Sequence, residues 1–142
     1  MKYQGLRYHM SNIMAAIGRE QLKKVNSIKT VRLQIAKEYL TRLKDIEYIE
    51  FLKLDYENII PHIFVVKVKN NRRDKLKEYL ADNNIECGIY YLPNHTLPKY
   101  RTIYNLPVAE TAYGEILSLP IHLDLDGNQQ EFVVSKIKEF FN

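Results

Sequence analysis

The side chains able to do chemistry fall in three short stretches. The first, Gly5-Leu6-Arg7-Tyr8-His9-Met10-Ser11, sets a guanidinium beside an aromatic ring and an imidazole. An arginine fork of this kind grips a phosphate or a carboxylate; the plainer alternative is a solvated lead-in to a helix. The second, Tyr90 to Tyr100, gathers three tyrosines and His95 around Pro93 and Pro98. That composition suits a ligand-binding loop held on a scaffold, or turn chemistry with tyrosines lying over a core. The third, Leu119-Pro120-Ile121-His122, reads by itself as a strand end carrying a histidine.

Other chemistries find no support. His9, His62, His95 and His122 lie far apart, with no partner at the i, i+3 or i, i+4 spacing of metal motifs, so no metal is expected. Asp124-Leu125-Asp126-Gly127-Asn128 opens like a calcium loop, but Gln129 stands where glycine is needed and Ser135 where a bidentate glutamate is needed; a helix N-cap explains the run better. No phosphate-binding glycine loop and no nucleophile elbow occurs. The lone Cys87 reads as a small core residue rather than a nucleophile.

These stretches need a scaffold, and the chain is long enough to build one: 142 residues, 46% of them apolar, predict one compact domain. One cysteine and no apolar run of bilayer length predict a reducing, cytoplasmic setting away from membranes. Ile13, Ile17, Leu22, Val25, Ile28, Val31, Ile35, Tyr39, Leu43 and Ile46 recur at mostly three- and four-residue steps, which predicts a helix from about Asn12 to Asp45 with Ser11 as N-cap. At 1.5 Å per residue it would be roughly 50 Å long, more than one small domain can bury, so part of it should meet another domain or chain. Residues 1–50 carry ten basic and five acidic side chains, and the remainder eleven and twelve. The lysines and arginines of the helix therefore read as a solvated face, and no nucleic acid is expected.

Beyond a turn region from Asp45 to Asn58, alternation predicts a strand over His62 to Lys69, and Asn71 with Asp74 predicts a capped helix displaying Leu76, Tyr79 and Leu80. A strand is expected over Ile85 to Tyr91, a short helix from Pro107 to about Gly114, a strand over Leu117 to Ile121, and a last helix from about Asn128 to Phe141. Phe132, Val133, Ile137, Phe140 and Phe141 form its buried side. The fold class is α+β: a long N-terminal helix, then a small, mainly antiparallel sheet covered by helices on one face.

The order and spacing of these motifs resemble the C-terminal part of the DegT/DnrJ/StrS sugar aminotransferases, pyridoxal-phosphate enzymes of the fold type I superfamily. The strip Gly5 to Ser11 followed by Ala15-Ala16, Gln21-Leu22, Arg32 and Tyr39 resembles that family's long-helix signature. His62 to Val66, Arg73-Asp74-Lys75-Leu76, Tyr91 to Tyr100 and Leu117 to His122 resemble its later motifs, in order. The resemblance implies the small C-terminal domain, residues 1–142, with the lead-in strip 1–11 and an interdomain helix 12–46. The large domain, with the Schiff-base lysine and the ring-pairing acid, would precede Met1, so the chain alone is expected to be inactive. The resemblance also implies a homodimer and a nucleotide-sugar substrate. It makes Arg7 a cofactor-phosphate contact, where the family has asparagine, and Tyr8, His9, Tyr91 and His95 substrate contacts; His9 stands where the family usually has arginine. The other reading is a stand-alone binding or oligomerisation module, or the remnant of a truncated gene.

Overall fold

The computed structural model describes residues 9–101 and 103–142. The expected long helix is present but broken: α1 (Asn12–Lys23) and α2 (Val25–Leu43) meet at Lys24, whose N–H turns back to the Gln21 carbonyl at 3.0 Å. That bond tightens the last turn of α1 from i−4 to i−3, with no glycine or proline at the break. Ser11 caps α1 as expected, accepting from the Met14 N–H at 3.2 Å.

The two helices have opposite fates. No residue of α1 is buried, and Ile13, Met14, Ile17 and Leu22 are exposed. Helix α2 instead buries Ile35, Ala36, Tyr39 and Leu43 against a three-stranded antiparallel sheet in the order β1 (Ile49–Phe51), β2 (Phe64–Val68), β3 (Ile116–Leu119). Strand β1 lies inside the segment expected to be turn. Phe64, Val66 and Val68 alternate into the core, as a strand with one covered face requires. The Tyr39 ring lies 5.1 Å from that of Phe64, and its hydroxyl, with ionisation pushed upward by burial, donates to the Pro120 carbonyl at 3.0 Å.

Helices α3 (Arg73–Asp82) and α5 (Gly127–Phe141) complete the layer with Leu76, Leu80, Val133, Val134 and Ile137. Asn71 does not cap α3: Arg72 takes the N-cap position without a side-chain bond, while Asn70 and Asn71 both adopt positive φ in the turn. Asparagine tolerates that left-handed region better than most residues, so the turn uses its backbone rather than its side chain. The far end of α3 closes by a Schellman arrangement. Asn84, at φ 60°, lets the Ile85 N–H reach the Leu80 carbonyl at 2.8 Å and the Asn84 N–H reach that of Ala81 at 2.9 Å. The calcium-like run is a capping box, Asp126 accepting from the Gln129 N–H while the Gln129 side chain accepts from that of Asp126. Phe132 departs from its expected burial and is 45% exposed.

The short α4 (Pro107–Glu115) starts on its proline and lies on the side of β2 that carries Lys67 and Lys69. The basic side chains of α2 are engaged by the chain itself. Lys29 donates to the Glu57 carbonyl, Lys37 pairs with Glu57 at 2.8 Å, Arg32 donates to the Pro61 carbonyl at 3.2 Å, and Arg42 pairs with Glu131.

Candidate functional site

The segment expected as a strand from Ile85 to Tyr91 joins the sheet at one point. Gly88 exchanges both backbone hydrogen bonds with Ser118, at 3.1 and 2.8 Å. Its neighbour explains the interruption, because the Tyr90 ring folds back over Gly88, where an added Cβ would lie 2.5 Å from the ring Cζ and 2.6 Å from the hydroxyl. Only a residue without Cβ lets the ring settle there. Ile85 and Cys87 still point inward, and burial pushes the Cys87 thiol up to about 11, which keeps it protonated and unreactive.

This fold-back walls a cleft of about 740 Å³ at the end of the sheet. His62, His122, Tyr90, Glu86, Phe132 and Gln129 stand around it over a floor that includes Leu119, Ile121 and Val133. The register that pairs Phe64 with Leu119 runs on to set His62 opposite Ile121, which is how two histidines 60 residues apart reach one cleft. Sequence reasoning singled out His122 in its motif and His62 in its strand but did not join them; the missing signal was strand register.

The residues expected to contact cofactor or substrate stand apart from this cleft where they are described. Arg7 and Tyr8 lie outside the described residues, and His9 is exposed just ahead of α1. Tyr91 is 81% exposed, its ring 5.2 Å from that of Tyr90. His95 lies in a single helical turn, Asn94–Thr96, followed by a second, Pro98–Tyr100. Its Nε2 is 3.0 Å from the Glu110 Oε1 of α4. None of His9, Tyr91 and His95 lines the cleft; Tyr90 does. From the end of the second turn onward, Tyr100, Ile103, Tyr104, Leu106 and Val108 present exposed apolar and aromatic side chains.

A phosphorylated, lysine-bound cofactor does not fit the described residues by themselves. The cleft is lined by no lysine or arginine, its one formal charge is the Glu86 carboxylate, and the α5 N-terminus beside it is already capped by Asp126. No described lysine is buried. Lys67 and Lys69 border a smaller groove, where both pair with Glu50 at 3.1 and 3.0 Å and Lys69 also with Glu115 at 3.1 Å; Lys69, then Lys67, hold the Glu50 carboxyl below its ordinary range. Among the described residues no group of three or more His, Cys, Asp or Glu side chains could hold a metal ion, and no helix is long and apolar enough to cross a membrane.

Residues 1–138 match the sequence profile of the DegT/DnrJ/EryC1/StrS aminotransferase family, and the chain belongs to that family. It is 30% identical over 141 residues to the erythromycin biosynthesis sensory transduction protein EryC1 of Saccharopolyspora erythraea, and 27% identical over 139 residues to the GDP-perosamine synthase of Escherichia coli O157:H7. Those matches cover 95% and 97% of this chain but 38% of each relative. The crystal structure of S. venezuelae DesV in complex with a ketimine intermediate superposes with a TM-score of 0.88 at 27% identity, over 99% of this chain and 39% of that one. A Brucella abortus aminotransferase of the family gives 0.83 at 28% identity, over 100% and 40%. The chain thus spans about two fifths of the length of the relatives it matches, as a fragment of a sugar aminotransferase would.

Proposed function

We propose that this chain is the small C-terminal domain of a pyridoxal-phosphate-dependent aminotransferase that acts on a keto sugar carried by a nucleotide, with an amino acid as nitrogen donor. The observation that carries the reading is a match over nearly the whole of this chain that covers only about two fifths of each relative. The cofactor's electron-sink chemistry belongs to the rest of such an enzyme, since the described residues lack a buried lysine and a phosphate cradle. This chain's share is binding. Arg7 would meet the cofactor phosphate, and Tyr8, His9, Tyr91 and His95 the substrate. The uncovered apolar side of α1 and the exposed run from Tyr100 to Val108 are where the large domain and a second subunit would pack, in a cytoplasmic homodimer.

The gene ahead of Met1 tests the proposal. The reading expects a Ser-x-x-x-x-Lys segment there and, when that sequence is expressed with this chain, saturable visible absorbance on adding pyridoxal phosphate that the chain alone does not give. Saturable absorbance from the chain alone, or an upstream sequence without such a lysine, would overturn it. The uncovered α1 also favours the second reading, a self-associating module. Light scattering separates the two, because a module forms a stable dimer that ignores both nucleotide sugars and a large domain.

A further inference from the structure

Helix α4 is a fixed platform. The Arg73 side chain, 7% exposed, donates from Nη1 to the Tyr113 carbonyl at 2.8 Å and to that of Ile116 at 3.1 Å, while Lys69, just past β2, holds Glu115. Among the described residues of the tyrosine loop no such bond into the core is seen. Its two helical turns bury no residue, and Ile103, farther along, is 96% exposed. A segment with so little burial opens at low free energy unless something ties it down. The tie is His95, whose side chain is 13% exposed and whose Nε2 lies 3.0 Å from the Glu110 carboxylate, 15 residues on. Glu110 sits in the first turn of α4, where the helix dipole favours its negative charge. An ionised carboxylate only accepts, so it selects the imidazole form with its proton on Nε2.

We propose that His95 and Glu110 form a latch that positions the tyrosine loop on α4. In the latch His95 acts through Glu110 to position the loop that carries Tyr91 and Tyr100, in addition to the substrate contact proposed for it. The purpose of the latch rests on the reading of this loop as part of the substrate site; its existence does not, and it is tested on this chain without ligand.

Lys99 and Arg101 are exposed and lie just past the latch, so native-state trypsin cleavage after them reports loop opening. The initial rate, followed by mass spectrometry, should rise about 5-fold in both His95→Ala and Glu110→Ala, the change expected for one lost hydrogen bond. The double variant should gain little more than either single, and His95→Gln, whose amide can still donate to Glu110, should recover much of the slow rate. The thermal midpoint and the cleavage rates after Lys44 and Lys138 should stay as they are. Unchanged loop rates, additive effects, no recovery by glutamine, a parallel rise at the control sites or loss of the cooperative unfolding transition would each overturn the latch. The absence of an upstream lysine would sink the aminotransferase proposal and leave this result standing.

Discussion

Arg73 carries the most exposing test of how the loop's platform is held. It is 6% exposed as a residue, on α3, yet its partners are the last carbonyls of α4 and the first of β3, which a helix end leaves without intrahelical donors. Its ion pair with Asp74 adds little, because the Asp74 side chain is 81% exposed and screened. The two bonds from Nη1 carry a full charge, so each contributes about 1.5 to 3 kcal/mol, and the face of Tyr113, 5.5 Å away, adds about 0.5 kcal/mol. Arg73→Met keeps the volume of the stem and removes the need to desolvate a guanidinium, which returns several kcal/mol of that gain. The difference leaves a net cost of about 2 kcal/mol. For a chain of this length that is a fall of roughly 5 to 8 °C in the thermal midpoint. Urea unfolding measures the cost, and hydrogen exchange locates it: the amides of Pro107–Glu115 should lose protection while those of α2 and α5 keep theirs. A variant as stable as the wild type, or one whose added exchange spreads evenly over the chain, would refute the assignment of Arg73 to α4.

Four further outcomes follow from single features. Cys87 should react with a disulfide reagent at pH 8 more than about 10-fold slower than an unfolded control, since its thiol is buried and shifted to about 11; parity would show the segment open. The same shift has a consequence for stability. The folded state holds the Cys87 proton above the thiol's ordinary value of 9.0, so stability is full below pH 9 and declines as pH rises toward 11, and a denaturant titration flat across that window would contradict it. Gly88→Ala should displace the Tyr90 ring and change the ring-current contribution to the residue 88 Hα shift in proton NMR. Replacing Ile13 and Ile17 by glutamate should move the unfolding free energy by less than about 0.5 kcal/mol, because α1 buries no residue, whereas a loss above 1.5 kcal/mol would mean that α1 packs on its own core.

Local patterns told most of the fold. The alternation from Phe64 to Val68, the proline at the start of α4 and the heptad-like face of α2 each encode their element within a few residues, and each element is where its pattern puts it. What escaped was decided by partners distant in sequence. Strand β1 has three residues and is defined by pairing Ile49, Glu50 and Phe51 with Val68, Lys67 and Val66, which no local window contains. The span from Ile85 to Tyr91 has strand composition, yet the return of Tyr90 over Gly88 limits it to one bridge. The candidate site divides the same way. The tyrosine loop was visible as a proline-bounded cluster, but the link from His95 to Glu110 and the placing of His62 and His122 on one cleft depend on tertiary structure.

The break at Lys24 joins these points. Apolar residues recur through it at mostly three- and four-residue steps, so the sequence describes one helix, while burial describes two: a half that ends in the core and a half that buries none of its residues. Folding of this chain alone gives no reason to keep Ile13, Met14 and Ile17 apolar at 74%, 59% and 52% exposure, because a polar side chain there would serve an exposed helix as well. An apolar face continued along a helix that buries nothing accords with a chain that spans 38 to 40% of the length of its relatives, and the proposed large domain is a candidate to cover it. If that is so, adding the covering domain should lower hydrogen exchange along Asn12–Lys23 and around Ile103 and Val108 while leaving the α2 core amides as they are. Protection confined to α1, with the loop unaffected, would assign the helix to a separate partner and break the link between the two exposed surfaces.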